Sequence, residues 1–300
     1  MPTLPVFSKT FLPISLLFMI GGLWGFFFIL IKTTVNDGIN PSAYVFWFCF
    51  GAGLVVLVIG LIRRTFPPLT RPHIVYYFKA ALLRFTLANI ILYTVTGKLP
   101  VGIMAVVMAF TPIVTHLISL VTGTEKFVKL RFFGILLGFA GVLMIVIPKT
   151  SLPDPSLAIW VLIGFGTPLL HGAGYVFLSE KNRPPDIESL QLAAGTLIAA
   201  ALMALPISLL LGEFSMLVPP FSKGEVAMMI HFILAGINFY AIFELIRLAG
   251  PTYMSQALFL SVIFGVFLGI IIFGEEHSLF VWVAIALILS GLVLVNAWRR

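Results

Sequence analysis

Ten apolar runs constrain this chain more than any motif within it. They fall at residues 12–31, 41–62, 80–97, 100–121, 131–147, 157–178, 189–211, 224–246, 252–273 and 279–298. Each approaches the ~20 residues that an α-helix needs to cross ~30 Å of hydrocarbon. Only 10% of residues are charged, against about a quarter in a soluble domain. The chain therefore lacks the polar surface to cover a globule, and its solvent is lipid. The connections are short and gather most of the Pro, Asp, Asn, Lys and Arg, as in "RRTFPPLTRPH" (63–73) and "SEKNRPPDIES" (179–189). The expected fold class is all-α: a polytopic membrane protein, a compact bundle of ten transmembrane helices with no linker long enough to set a soluble domain apart. The first run, Phe11 to Ile31, has no small-residue cleavage signal after it and further spans follow, so it reads as a retained helix.

The formal charge of +7 does not imply a nucleic-acid partner, because basic residues in membrane chains collect in cytoplasmic loops. With the N-terminus inside, Lys9, Arg63, Arg64, Arg71, Lys126, Lys129, Arg131, Lys181, Arg183, Arg247, Arg299 and Arg300 all fall inside. Only Lys32, Lys98, Lys149 and Lys223 fall outside. This asymmetry places both termini in the cytoplasm. The one cysteine, Cys49, lies within an apolar run, which leaves no disulfide framework and no thiol metal site.

The chain also repeats itself. "TEKFVKLRFFGILLGFAGVL" from Thr124 lies over "GEEHSLFVWVAIALILSGLV" from Gly274, so that Glu125 meets Glu275 and Gly141 meets Gly291, each at an offset of 150 residues. That divides the chain into residues 1–150 and 151–300, with five runs in each half. Five is odd, so the second half enters the membrane upside down. Inverted repeats around a midplane site are a transporter design, although a channel or a membrane enzyme can also contain a repeat. Glu125 and Glu275 each stand between the fourth and fifth run of their half. There a carboxylate can accept from unpaired backbone N–H groups and face a helix dipole; a proton carrier is the other reading.

Polar residues inside the runs are costly and face the bundle interior or a wet cavity. In the fourth run Met104, Met108, Thr111, Thr115 and Thr122 share one helical face. Pro112 removes a backbone hydrogen bond beside them and permits a kink. That face either lines a cavity or consists of threonines bonded back to their own helix. His231 and Asn238 share a face of the eighth run, with Tyr240 nearby, and His171 precedes Tyr175 in the sixth. Asn89 and Asn238 sit near the middle of their runs, as cavity lining or as hydrogen-bond glue between helices. Gln256 follows Pro251 in the ninth. Lys79 and Arg84 fall in the first turns of the third run, where long stems carry the charge to the interface; the alternative for Arg84 is attraction of a substrate carboxylate. Small residues every fourth position, Gly265 and Gly269 among them, let helices approach closely in lipid.

The stretches "GGLWGFFF" (21–28), "LPVGIMAVVMAFTPIVTHLISLVTGTEKF" (99–127) and "AGPTYMSQALFLSVIFGVFLGIIIFGEE" (249–276) resemble the drug/metabolite transporter superfamily in its ten-span EamA-type branch. Two positions depart from an even repeat: Pro112 faces Val262 in the second half, and Trp24 faces "HGAGY" (171–175). A binding site would therefore be asymmetric. The resemblance implies a cavity lined by runs one, three, four, six, eight and nine, and a multi-pass protein of the bacterial inner membrane.

All three aspartates (Asp37, Asp154, Asp186) lie in connections, and Glu244 stands three residues before Arg247, as an edge ion pair would. Without a deep carboxylate pair, proton coupling would fall to a histidine such as His116 or to Glu244; otherwise flux is facilitated diffusion. The same absence favours zwitterionic, neutral or weakly anionic substrates over cations. No zinc-protease, prenyl-diphosphate, nucleophile-elbow or phosphate-loop motif is present, so the expectation is a non-enzyme without cofactor or metal. The sequence reads as a secondary transporter working by alternating access, exporting amino acids or related amphiphilic metabolites, as monomer or homodimer. Trp24, Met108, Tyr175 and Tyr240 would stack on the apolar part of the substrate. Asn89, Thr111, Asn238 and Gln256 would hydrogen-bond its polar head. Thr115, His171 and His231 are further substrate-binding candidates (the histidines with packing as the other reading), and Pro112, Gly265 and Gly269 are hinge or packing positions. Uptake of a vitamin or nucleobase is the alternative, and a channel the third reading.

Overall fold

The computed structural model describes residues 6–96, 98, 107–108, 110–146, 158–273 and 279–297. Among them every regular element is helical. In chain order these are α1 (Val6–Asn36), α2 (Pro41–Arg63), α3 (Arg71–Ala81, Leu82–Thr86 and Leu87–Thr96), α4 (Thr111–Val121) and α5 (Lys129–Val146). The second half holds α6 (Ala158–Gly164 and Gly166–Phe177), α7 (Ser189–Leu210), α8 (Lys223–Ala249), α9 (Pro251–Ser255 and Ala257–Phe273) and α10 (Leu279–Ala297).

Six stretches are long and apolar enough to cross a membrane: Phe11–Asn36, Pro41–Arg63, Arg71–Thr96, Ile159–Phe177, Ser189–Leu210 and Lys223–Ala249. The chain is thus a polytopic membrane protein. Helices α4, α5, α9 and α10 occupy the other four apolar runs, while residues 99–106 and 274–278, Glu275 among the latter, lie outside the described residues. Local chemistry sets the helix starts. Pro41 opens α2, where its missing N–H goes unneeded. At α8 a capping box forms: Ser222 Oγ accepts from the Glu225 N–H at 3.1 Å, and the Glu225 carboxylate accepts from the Ser222 N–H at 2.8 Å.

The third span differs from the sequence reading in where it begins. Apolarity alone suggests residue 80, but the helix starts at Arg71, with Pro72 in its first turn and exposed polar residues such as Lys79 along its opening turns. Arg84 consequently lies well inside the helix rather than in its first turns. Its side chain is 4% exposed and does not reach the interface.

Packing follows a regular scheme. Helix α5 lies along α10, α2 along α7, α1 along α8 and α9, and α6 along α3 and α4; α8 also packs on α2, and α7 on α3. Exchanging each helix for the one five places away returns the same set of pairs. Small residues make these contacts close. A Cβ on Gly291 would lie 2.5 Å from the Gly134 carbonyl oxygen, and one on Gly21 would lie 2.5 Å from Leu260 Cβ. Gly265 and Gly269 fall within α9; their surroundings are outside what the structure describes.

Two carboxylates of the first half cap helices of the second. Beyond α1, Asp37 Oδ2 accepts from the Gly224 N–H at 3.0 Å, in the first turn of α8. Beyond α4, Glu125 Oε1 accepts from the Thr252 N–H at 3.3 Å, at the start of α9, while its Oε2 lies 2.5 Å from Arg131 Nη1. Glu125 therefore does cap a helix, but one in the other half of the chain rather than the next in sequence. Gly224 and Thr252 flank the two ends of α8, whose 27 residues span about 40 Å, so the two ties sit on opposite faces of the bundle.

Hydrogen bonds from Ser222 and from the Gly224 backbone hold the Asp37 carboxyl below the usual carboxylate range. A depressed folded pKa stabilises above the unfolded value and loses that contribution as pH falls through the folded one. Taking the detergent-solubilised protein from about pH 5 to about pH 3 should lower the melting temperature of wild type more than that of Asp37→Asn. Equal losses would mean that the cap contributes nothing to stability.

Candidate substrate-binding site

Among the described residues, helices α3, α6 and α9 depart from α geometry within the bundle. Helix α3 carries a wider, π-type turn at Leu82–Thr86, α6 is interrupted at Phe165, and α9 at Gln256. Such turns free backbone groups that lipid could not satisfy, so in a membrane they belong beside buried protein or a cavity. Helices α3, α6 and α9 all contribute residues to a cavity of about 80 Å³.

Its walls divide by chemistry. Trp24 and Phe27 of α1, Phe48 of α2, Tyr93 of α3, Met108, and Phe239 of α8 give an aromatic and apolar surface. Arg84 and Asn89 of α3, His171 of α6, and His231 and Asn238 of α8 supply the polar groups. Each of these five polar side chains is at most 5% exposed. His231 is fixed: its Nδ1 lies 2.7 Å from the Tyr44 hydroxyl, and its ring packs 4.4 Å from Phe27 and 4.5 Å from Phe48. Tyr44 in turn stacks on Tyr93 at 4.6 Å. Asn238 stands in contrast, since neither its amide oxygen nor its nitrogen has a hydrogen-bond partner, and Nε2 of His171 also lacks one. A buried amide left unpaired costs about 1–3 kcal/mol, a cost that a polar atom brought to this wall would relieve.

Arg84 is the group that sequence reasoning placed at the edge. One of its terminal nitrogens donates to the Tyr175 hydroxyl at 3.1 Å, and its guanidinium carbon lies 4.7 Å from the Tyr175 ring and 5.1 Å from the Phe85 ring. Gly174 makes this seat: a Cβ there would come within 2.9 Å of Arg84 Cβ and 3.0 Å of its Cα. Apolarity gave no signal for the depth of Arg84. Arg71, His73 and Lys79 interrupt the opening turns of α3, so the helix begins before the apolar run does and carries Arg84 inward.

Of the other sequence candidates, Tyr175 stands behind Arg84, buried and off the cavity wall. Thr111 and Thr115 bond back to the Met108 and Thr111 carbonyls, each at 2.7 Å, beside Pro112 at the start of α4. Tyr240 lies toward Arg63, whose guanidinium is 5.9 Å from its ring. Gln256 donates to the Thr252 carbonyl at 3.2 Å at the break in α9. Those four lie away from the cavity lining. His116 is buried with Nδ1 3.9 Å from Glu125, and Glu244 pairs with Arg247 near the end of α8. A larger groove of about 560 Å³ between α2 and α8, edged by Leu54, Val58 and Ile237, has an apolar lining and opens outward; it carries no group that could orient a polar ligand.

The model of the family described as "EamA-like transporter family" matches residues 12–147 and 158–297. The "Uncharacterized inner membrane transporter YedA" of Escherichia coli (strain K12) is 29% identical over 250 residues, which is 82% of this chain and 78% of that protein. The versions from Escherichia coli O157:H7 and from strain CFT073 of Escherichia coli O6:H1 match to the same extent. A solved crystal structure superposes with a TM-score of 0.77 at 18% identity, over 97% of this chain and 99% of that one, so the two share a fold.

The Gly174 contact yields a paired test. Gly174→Ala should destabilise the protein by about 1–3 kcal/mol through overpacking against α3. Gly22→Ala, whose Cβ would meet nothing closer than 3.6 Å, should be neutral. Unfolding midpoints of both variants in detergent decide it; equal midpoints would show that α6 and Arg84 do not pack as described.

Proposed function

The chain belongs to the EamA-like transporter family, and on that premise we propose that it is a secondary transporter, two inverted five-helix repeats (1–150 and 151–300) that move a small amphiphilic metabolite by alternating access. Three observations support the repeat: the family model matches one segment in each half, the packing pairs survive exchange of the halves, and Glu125 and Glu275 stand 150 residues apart. The lysine and arginine distribution supports cytoplasmic termini, and YedA's description as an inner membrane transporter supports that membrane as the location.

The observation that carries the substrate reading is the composition of the cavity wall. Aromatic rings on one side and unpartnered polar groups on Asn238 and His171 on the other suit a molecule with an apolar body and a polar head, as amino acids and their acidic relatives have. At about 80 Å³ the cavity falls short of the ~300–1,000 Å³ of a filled small-molecule site. Entry of substrate therefore requires the halves to part on one face. The caps at Asp37 and Glu125 are the polar ties that such movement would open in turn. Export is the direction we favour. His116, buried beside Glu125 and Arg131, is the group on which we place proton coupling.

Counterflow in proteoliposomes tests the proposal. Vesicles loaded with one unlabelled amino acid or related acid should accelerate entry of its labelled form, and the flux should saturate. Asn238→Ala should reduce that flux by about tenfold, the worth of one lost hydrogen bond of ~1.4 kcal/mol, while melting like wild type. Flux that neither saturates nor trans-accelerates would make the protein a channel. Loss of folding in the variant would make Asn238 inter-helix glue.

A further inference from the structure

Among the described residues the cavity lining holds one permanent charge, and no counter-ion faces it. That charge is the guanidinium of Arg84. Whereas Arg131 pairs with Glu125 and Arg247 with Glu244, no ion pair among the described residues includes Arg84. Its neighbours are the Tyr175 hydroxyl and the faces of Tyr175 and Phe85, and its Nε has no hydrogen-bond partner. Removing a cation from water without a partner is among the most expensive arrangements a protein can hold. Aromatic faces offset only part of that.

Building on the transporter reading above, we infer that Arg84 is the seat for a carboxylate, and that the substrate is a monocarboxylate with an apolar, preferably aromatic, body and no ammonium group. The planar guanidinium presents paired N–H donors to which a carboxylate fits side by side. One cation in the lining balances one negative charge, which favours a carboxylate over a phosphate dianion. The described lining contains no carboxylate to receive an ammonium, so a zwitterion would bury a second, unpaired charge. Asn89, Asn238 and His171 then meet a neutral oxygen of the substrate, such as a keto or hydroxyl group. Trp24, Phe27 and Tyr93 take the body.

A matched set of ligands with one phenyl body tests this without altering the protein: 3-phenylpropionate, its neutral amide, phenylalanine and 2-phenylethylamine. Binding to the solubilised full chain is read by thermal shift, and exchange by counterflow in proteoliposomes. The acid should bind about tenfold or more tightly than the amide, and more tightly than the zwitterion or the amine. Arg84→Gln should abolish the preference of acid over amide, and Arg84→Lys should retain part of it. Equal binding of acid and amide by wild type, no stabilisation by the acid, or a preference that survives in Arg84→Gln would overturn the assignment. Tighter binding of phenylalanine than of the acid would overturn the monoanion and restore the amino acid. The two readings fail separately. Saturable exchange without any acid preference keeps the transporter and removes the seat; Arg84-dependent binding without exchange keeps the seat and removes the transporter.

Discussion

Hydrocarbon supplies no hydrogen bonds, and that single constraint organises the molecule. Every backbone N–H and C=O inside the membrane must be satisfied by the helix that carries it, unless protein or water stands ready beside it. Most of the chain obeys by forming uninterrupted helices. The exceptions, at Leu82–Thr86, Phe165 and Gln256, are not scattered: their helices converge on the cavity. Helices with irregular backbone, the buried amides of Asn89 and Asn238 and the guanidinium of Arg84 therefore meet at one place. Elsewhere polar side chains turn inward to their own helix, as Thr111 and Thr115 do.

Helices in lipid gain nothing from hiding apolar surface, so the halves are joined by close fit and by polar ties. Gly134 against Gly291 and Gly21 against Leu260 supply the fit. Smooth seams of this kind hold helices together while leaving them free to slide or rock. The ties are fewer and more specific. Asp37 and Glu125 reach across from the first half to helix starts in the second, near opposite ends of α8. Each is a hydrogen bond near an aqueous face, where water can replace it at small net expense. Such contacts can break on one side while the other holds, which is the behaviour a two-mouthed carrier requires.

Much of this was legible in the sequence, because the strongest physical signals are one-dimensional. Length and apolarity reveal helices, and loop charges bear on orientation. Mid-span polar residues mark the interior, and Trp24, Asn89, Met108, His171, His231 and Asn238 do meet around one cavity. What escaped depends on three-dimensional relations that no pattern encodes. The start of α3 was hidden because its opening turns are polar, and with it the depth of Arg84. Tyr44, which holds His231 in place, looked like one more aromatic in an apolar run. Tyr240 shares the helix of Asn238, two residues on, yet a 100° step per residue turns it toward Arg63 instead. Glu125 was recognised as a helix cap, but which helix it caps depends on how the halves pack.

The central claim, that the two halves open alternately around the cavity, is tested most directly by distances measured across each face. Spin labels on a Cys49→Ala background at Asn36 and Lys223 report the Asp37 side, and labels at Lys126 and Arg247 report the Glu125 side. All four labelled side chains are exposed. Pulsed electron–electron resonance in lipid nanodiscs, with and without a transported ligand, should show the two distances changing in opposite directions. Distances that lengthen together, or that stay fixed while flux proceeds, would contradict alternating access and leave a fixed pore in its place.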